Sequence, residues 1–208
     1  MKVWKGKFGR QYTERNFQTL KEMEELNKKN YGHSRTEINR GFLGKMAKSS
    51  RILEVGCNIG NELLCLRAMG FTNLYGIDIQ SDVVKAARSR NTDITFLEGS
   101  AFDIPFKDGY FDMTFTAGVL IHISPKDIKT AMREIVRCTR RYVWGFEYFA
   151  DDVEEICYRG HANLLWKMDY KQVYMDAVIG LRLIKAKRYK YLDNKNVDEM
   201  FLLEKKGR

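Results

Sequence analysis

Two prolines, three histidines and four cysteines in 208 residues leave several chemistries without material. Cys57, Cys65, Cys138 and Cys157 form neither a Cys-x-x-Cys pair nor a Cys/His cluster. That argues against a zinc site and against a disulfide framework, so no metal ligands are assigned. Reduced thiols and a cytoplasmic location are the expectation. No apolar run approaches the length of a bilayer span, so no membrane segment is expected. The opening Met1-Lys-Val-Trp-Lys-Gly-Lys is basic but leads into no apolar core, so no secretory signal is expected. The dinucleotide fingerprint Gly-x-Gly-x-x-Gly is also missing, which disfavours a nicotinamide cofactor.

What remains is a chain of one ordinary domain, long enough for a substantial core. It is 44% hydrophobic and 12% aromatic, a balance that fits a globular protein. The net charge of +9 and pI near 9.3 admit a nucleic-acid partner, a merely solvated basic surface or a small anionic substrate. The basic residues are spread through the chain, with small clusters at Lys185-Ala-Lys-Arg188 and Lys205-Lys-Gly-Arg208.

Residues 1–50 read as helical. Phe17-Gln-Thr-Leu20 with Met23-Glu-Glu-Leu26 suggests one amphipathic helix, and a second starts near Ser34 or Thr36 and runs through Met46. The aromatic, Gly, Arg and Asn content of Trp4–Asn16 suggests a lid. From Arg51 the pattern alternates. Strands are expected to end at Val55 and Asp78, and to cover Ile94–Leu97, Tyr110–Thr116 and Arg141–Tyr148. Helices are expected over Glu62–Met69, from Ser81 as a cap, and from Ser124-Pro125-Lys-Asp127 onward. Leu181–Tyr191 and Val197–Leu203 flank the turn Asp193–Asn196 and must pair antiparallel. The expected fold is α/β: a doubly wound, mostly parallel seven-stranded sheet closed by a C-terminal antiparallel hairpin.

The chemistry gathers at Arg51-Ile-Leu-Glu-Val-Gly-Cys-Asn-Ile-Gly-Asn61. A short apolar strand, a Gly/Asn turn and a helix N-terminus present backbone N–H groups to a ligand, or form a turn that only packs. The next strand ends in Asp78, about 20 residues on, where a ribose diol is held in nucleotide-binding folds. Glu54, Gly56, Gly60 and Asp78 together resemble the first two motifs of class I S-adenosylmethionine (SAM)-dependent methyltransferases. Asn58 stands where that family has a further glycine.

The resemblance implies SAM as cofactor and a Rossmann-like methyltransferase domain over residues 51–208, preceded by the helical lid of residues 1–50. By the same resemblance Gly56, Cys57 and Asn58 face the amino-acid end, Asp78 the ribose and Ile79 the adenine. Ser100, Ala101 and Phe102 fall at the adenine edge, although an acidic residue is more usual at Ser100. Ala117 follows the fourth strand at the methyl end. His122 is a candidate general base or a pocket-shaping residue. Glu147, on a buried strand, and His161 are further candidates to accept the proton. Tyr148, Tyr158 and Arg159 lie in a substrate insert near residues 149–170, and Tyr12, Arg15 and Asn16 in the lid. All six are candidate acceptor contacts.

A closer set comprises Phe8-Gly9-x-x-Tyr12-Thr13-x-Arg15-Asn16, Gly118-Val-Leu-Ile-His122, Trp144-Gly-Phe-Glu-Tyr148, Tyr158-Arg-Gly-His161 and Tyr191-Leu-Asp-Asn194. It resembles the methylases associated with pseudaminic acid biosynthesis, which implies a small polar or anionic acceptor such as a sugar or nonulosonic acid. The Asn/Asp-Pro-Pro-Tyr/Phe and Pro-Cys motifs of nucleobase methylases are absent, which disfavours a nucleic-acid acceptor. RNA or protein methylation and a non-catalytic SAM-binding partner are the alternatives.

Overall fold

A computed structural model describes residues 2–16 and 18–206. Four helices come first: α1 (Lys2–Lys5), α2 (Lys7–Arg15), α3 (Leu20–Tyr31) and α4 (Arg35–Leu43). Capping boxes fix two of the starts. Thr19 and Glu22 close the N-terminus of α3, and Ser34 and Glu37 that of α4. The first expected amphipathic helix therefore begins at Leu20 and extends to Tyr31; Phe17 lies outside the described residues.

The alternating part follows as β1 (Arg51–Val55), α5 (Asn61–Ala68), β2 (Asn73–Asp78), α6 (Ser81–Arg90), β3 (Thr95–Glu98) and β4 (Phe111–Ala117). A single 3-10 turn, Leu120–His122, precedes α7 (Ile128–Cys138) and β5 (Thr139–Tyr148). The two-residue strands β6 (Glu154–Glu155) and β7 (Trp166–Lys167) form a separate antiparallel ribbon. The helix α8 (Tyr170–Ala177) and strands β8 (Leu181–Lys190) and β9 (Val197–Lys205) complete the chain's elements.

Seven strands form one sheet in the order β3-β2-β1-β4-β5-β9-β8. The first five are parallel, and β9 runs antiparallel to both β5 and β8, as the short turn required. Side chains alternate across this sheet. Leu53, Val55, Val143, Phe201 and Leu203 join α7 and α8 in one buried cluster. Ile52, Trp144, Met200 and Leu202 join residues of α4, α5 and α6 in the other. Burial on both faces is what makes the central strands nearly continuous apolar runs.

Two expected helix starts shift. Ser81 is the first helical residue of α6 rather than its cap; Gln80 takes that place without a side-chain bond. Ser124-Pro125 opens a turn instead of α7. The Ser124 hydroxyl donates to Asp127 at 2.7 Å, and Asp127 becomes the cap of a helix beginning at Ile128. Among the described residues no His/Cys/Asp/Glu group suits a metal ion, all four cysteines are free, and no helix is long and apolar enough to cross a membrane.

Candidate active site

Strand order reverses between β1 and β4, and a cleft of about 380 Å³ opens at their carboxyl ends. The turn after β1 forms its floor. Gly56 has φ 76°, and a Cβ there would lie 2.8 Å from the Val119 methyl groups, so only glycine lets the two loops approach. Asn58 also has positive φ, 49°, which asparagine tolerates better than most residues.

The loop's backbone donors are partly committed within the protein. The N–H groups of Gly56 and Cys57 both donate to the Ile77 carbonyl, at 2.8 and 2.9 Å. That of Asn58 donates to Asp78 Oδ2 at 3.0 Å, and that of Gln80 to Asp78 Oδ1 at 3.0 Å. Asp78 is thereby held rigidly at the end of β2. Burial raises its pKa from the ordinary carboxylate value, against the lowering effect of those backbone donors.

Every residue assigned to the cofactor by resemblance lines this cleft except Gly60, which caps α5. The Cys57 thiol is buried and pushed well up by that burial and by Glu54 and Asp78, so it stays protonated and unreactive. After β3, Phe102 N–H donates to Ser100 Oγ at 3.2 Å, fixing that turn.

Four side-chain oxygens from residues of the cleft are buried without a hydrogen-bond partner among the described residues: Glu54 Oε2, Asn58 Oδ1, Asn61 Oδ1 and Gln80 Oε1. Buried acceptors without donors are costly and point to a ligand rich in donors. An amino group, a ribose diol and an adenine amine supply such donors, so the residues fit SAM. The carboxylates of the lining are Glu54, Glu62, Asp78 and Asp127, and no Lys or Arg joins them. A cleft of that sign inside a chain of net charge +9 suits a cationic ligand.

The N-terminal region expected to act as a lid is helical. Trp4, Tyr12 and Asn16 line the cleft from α1, α2 and the end of α2. Gly9 packs so tightly that a Cβ would lie 1.9 Å from the Trp4 carbonyl oxygen and 2.8 Å from Gln80 Oε1. Asn61 Nδ2 donates to the Asn16 carbonyl at 3.0 Å, tying the lid to the start of α5. Its rings meet a second wall. Trp4 lies 4.4 Å from His122, Phe8 lies 6.0 Å from Tyr158 and 5.4 Å from His161, and His122 lies 5.4 Å from Tyr158. Burial raises the Tyr12 phenol well above its ordinary pKa, so it stays a neutral donor.

Of the three proton-acceptor candidates, His122 lines the cleft. Its Nδ1 is 2.7 Å from the Leu164 carbonyl, which fixes the proton on Nδ1 and leaves Nε2 as an acceptor. Burial lowers its pKa to about 4, opposed by that same hydrogen bond, so the ring is neutral at pH 7. Glu147 lies buried outside the cleft wall, with Oε1 accepting the Val119 N–H at 3.2 Å. Burial raises its pKa to about 7. It props the loop that carries Gly118, Val119 and His122. His161 is exposed, on a tight turn in which Tyr158 and His161 exchange backbone bonds of 2.9 and 3.0 Å.

Arg159 and Gly160 occupy that turn with φ 53° and 80°, and Arg159 faces solvent. Arg15 is exposed as well. Tyr148 is half-buried outside the lining, with the Lys167 amine 5.3 Å from its ring. Sequence reasoning missed the contributions of Gln80, Asn163 and Leu164 to the cleft. Gln80, two residues after Asp78, had a usable signal in its position; the others meet the cleft only through tertiary packing.

Residues 53–143 match the family described as "Methyltransferase domain". By that match this stretch is similar to a methyltransferase domain. The chain is 30% identical over 99 residues to the O-methyltransferase rstn1 of Aspergillus nomiae, a match covering 45% of this chain and 43% of that protein. The chain thus spans less than half the length of the curated relatives it matches. A chain from the Haloferax volcanii complex of a methyltransferase activator with a methyltransferase shares the fold, with TM-score 0.71 at 17% identity, covering 96% of each chain. The 1,6-didemethyltoxoflavin-N1-methyltransferase of Burkholderia thailandensis, solved with S-adenosylhomocysteine, aligns with TM-score 0.66 at 13% identity, covering 83% of this chain and 76% of that one.

Proposed function

We propose that this protein transfers the methyl group of SAM to a hydroxyl or amine of a small polar acceptor in the cytoplasm, a sugar or nonulosonic acid being the acceptor class. The carrying observation is the placement of His122, on the cleft wall, neutral, with Nδ1 pinned to Leu164. Bound there, SAM supplies an electrophilic methyl on a sulfonium. Glu54, Asp78 and the Ser100–Phe102 turn hold its two ends. His122 Nε2 accepts a hydrogen bond from the acceptor's hydroxyl or amine and orients its lone pair for in-line attack. A ring so depressed in basicity orients the acceptor more than it removes the proton early, and much of the rate comes from alignment in a dry pocket. Trp4 Nε1, buried and unpartnered among the described residues, offers a donor to the acceptor on the lid side. No Lys or Arg lines the interior, so the carboxylate of a sugar acid is held at the rim by exposed Arg159 or Arg15.

The test is calorimetry followed by turnover. S-adenosylhomocysteine binds the folded protein, and SAM is consumed with a panel of amino sugars and nonulosonic acids. No heat with either nucleoside on folded protein overturns the cofactor site. Saturable binding without turnover on any acceptor, RNA included, leaves a SAM-binding pathway partner as the better reading.

A further inference from the structure

Glu54 is the one carboxylate of the cleft that ends in a buried oxygen without a partner among the described residues. The titratable groups around it come from four elements: Glu62 on α5, Arg35 on α4, Asp78 on β2 and the protonated Cys57 thiol in the loop. Arg35 is buried and grips Glu62 with both arms, Nη2 to Oε1 at 2.6 Å and Nε to Oε2 at 3.0 Å. Its guanidinium also lies 4.0 Å over the Phe146 ring, so it has no room to swing away. Arg35 comes from outside the matched residues 53–143, so the domain borrows this cation from the N-terminal helices.

Three carboxylates beside one guanidinium leave the group two negative charges in excess when all are ionised. Burial, with Glu62 next, holds the Glu54 carboxyl well above the usual carboxylate range. An ammonium entering beside the unpartnered oxygen reverses that balance.

We propose that Arg35 is a positioning residue for the cofactor's amino group, acting through Glu62 to set the charge at Glu54, which gives up one proton as the ammonium binds. This rests on the SAM reading of the cleft. The balance is simple: a neutral Glu54 carboxyl and a ligand ammonium become a carboxylate–ammonium pair, and the proton leaves to solvent. Arg35 neutralises Glu62, so Glu54 ionises beside one negative neighbour fewer.

The experiment is calorimetry of the whole chain with S-adenosylhomocysteine, in buffers of different ionisation enthalpy between about pH 5.5 and 8.5. Wild type is expected to release close to one proton per ligand at the acidic end, its affinity rising up to about tenfold per pH unit before levelling. 5′-Methylthioadenosine, which lacks the amino-acid end, should release none. Arg35→Met moves the rising limb to higher pH, Arg35→Lys restores part of that shift, and Glu62→Gln moves the limb to lower pH. A purely structural role gives no such opposite signs. Equal proton release with both ligands, or shifts of one sign in Arg35→Met and Glu62→Gln, overturns the proposal and leaves the SAM site standing. Absence of binding by either ligand overturns the SAM site itself.

Discussion

The indole of Trp4 and the imidazole of His122 meet with ring centroids 4.4 Å apart, and this contact joins the N-terminal helices to the loop after β4. Removing the indole lets water reach the imidazole. In Trp4→Ala the His122 pKa is expected to climb from about 4 toward its ordinary 6.5, followed by NMR titration of the ring. The same variant should weaken S-adenosylhomocysteine several-fold, because the lid loses its main aromatic seat. An unmoved titration would show that burial of His122 does not depend on the lid.

His122 also makes stability pH-dependent. Its folded pKa lies below its unfolded value, so the unfolded chain binds the extra proton first. The contribution is fully present above about pH 6.5 and is lost as pH falls toward about 4. Denaturant melts of wild type and His122→Gln should converge as the pH is lowered through that window.

Glu147 has the opposite sign. Its folded pKa of about 7 lies above the ordinary 4.5, so its ionisation costs stability as pH rises between those values. Glu147→Gln keeps an oxygen for the Val119 N–H and should flatten this slope, with equal or higher Tm at pH 8. Glu147→Ala strands that N–H and should cost about 1–3 kcal/mol. Turnover in Glu147→Gln is expected within a few-fold of wild type; a fall of a hundredfold would make Glu147 the proton acceptor.

Position 56, in the turn after β1, is expected to reject any side chain. Gly56→Ala combines a positive φ with a Cβ 2.8 Å from Val119 and should lower stability by about 1–3 kcal/mol. Gly118→Ala has a similar φ, 64°, but open space around it, so only about 1 kcal/mol is expected. Chemical denaturation of the two variants separates the contact from the dihedral.

Asp78→Asn should reduce S-adenosylhomocysteine affinity at least about tenfold. The amide turns a donor toward one of two backbone N–H groups, Asn58 or Gln80, and on the proposed SAM reading the ribose loses an anionic acceptor. Calorimetry at pH 7 measures it.

The sheet was legible because local and global signals agree. The strand Asn73–Asp78 ends where expected, and the short turn at Asp193–Asn196 could only join antiparallel neighbours. That Glu54, Gly56 and Asp78 line one cleft was legible for the same reason, since they sit at strand ends with fixed spacing. The acceptor end was not. Glu147 stood out in the sequence as a buried charge, yet its partner is the backbone N–H of Val119, 28 residues away, which leaves no residue-type signature. Residues 1–50 were legible as helical but not their contacts, because Trp4 and Phe8 meet His122, Tyr158 and His161 from distant loops. The grip of Arg35 on Glu62, 27 residues apart, is equally silent in one dimension.

Because β9 lies between β5 and β8, synthesis order and sheet order disagree. β8 is made before β9, its one neighbour in the sheet, so it stays unpaired until β9 is docked. During that interval Leu183 and Ile184 are carried on an unpaired strand, as they remain exposed on the finished edge. Arg182, Lys185, Lys187 and Arg188 share that strand, and like charges discourage it from pairing with another nascent copy. Part of the chain's positive charge thus guards its own assembly.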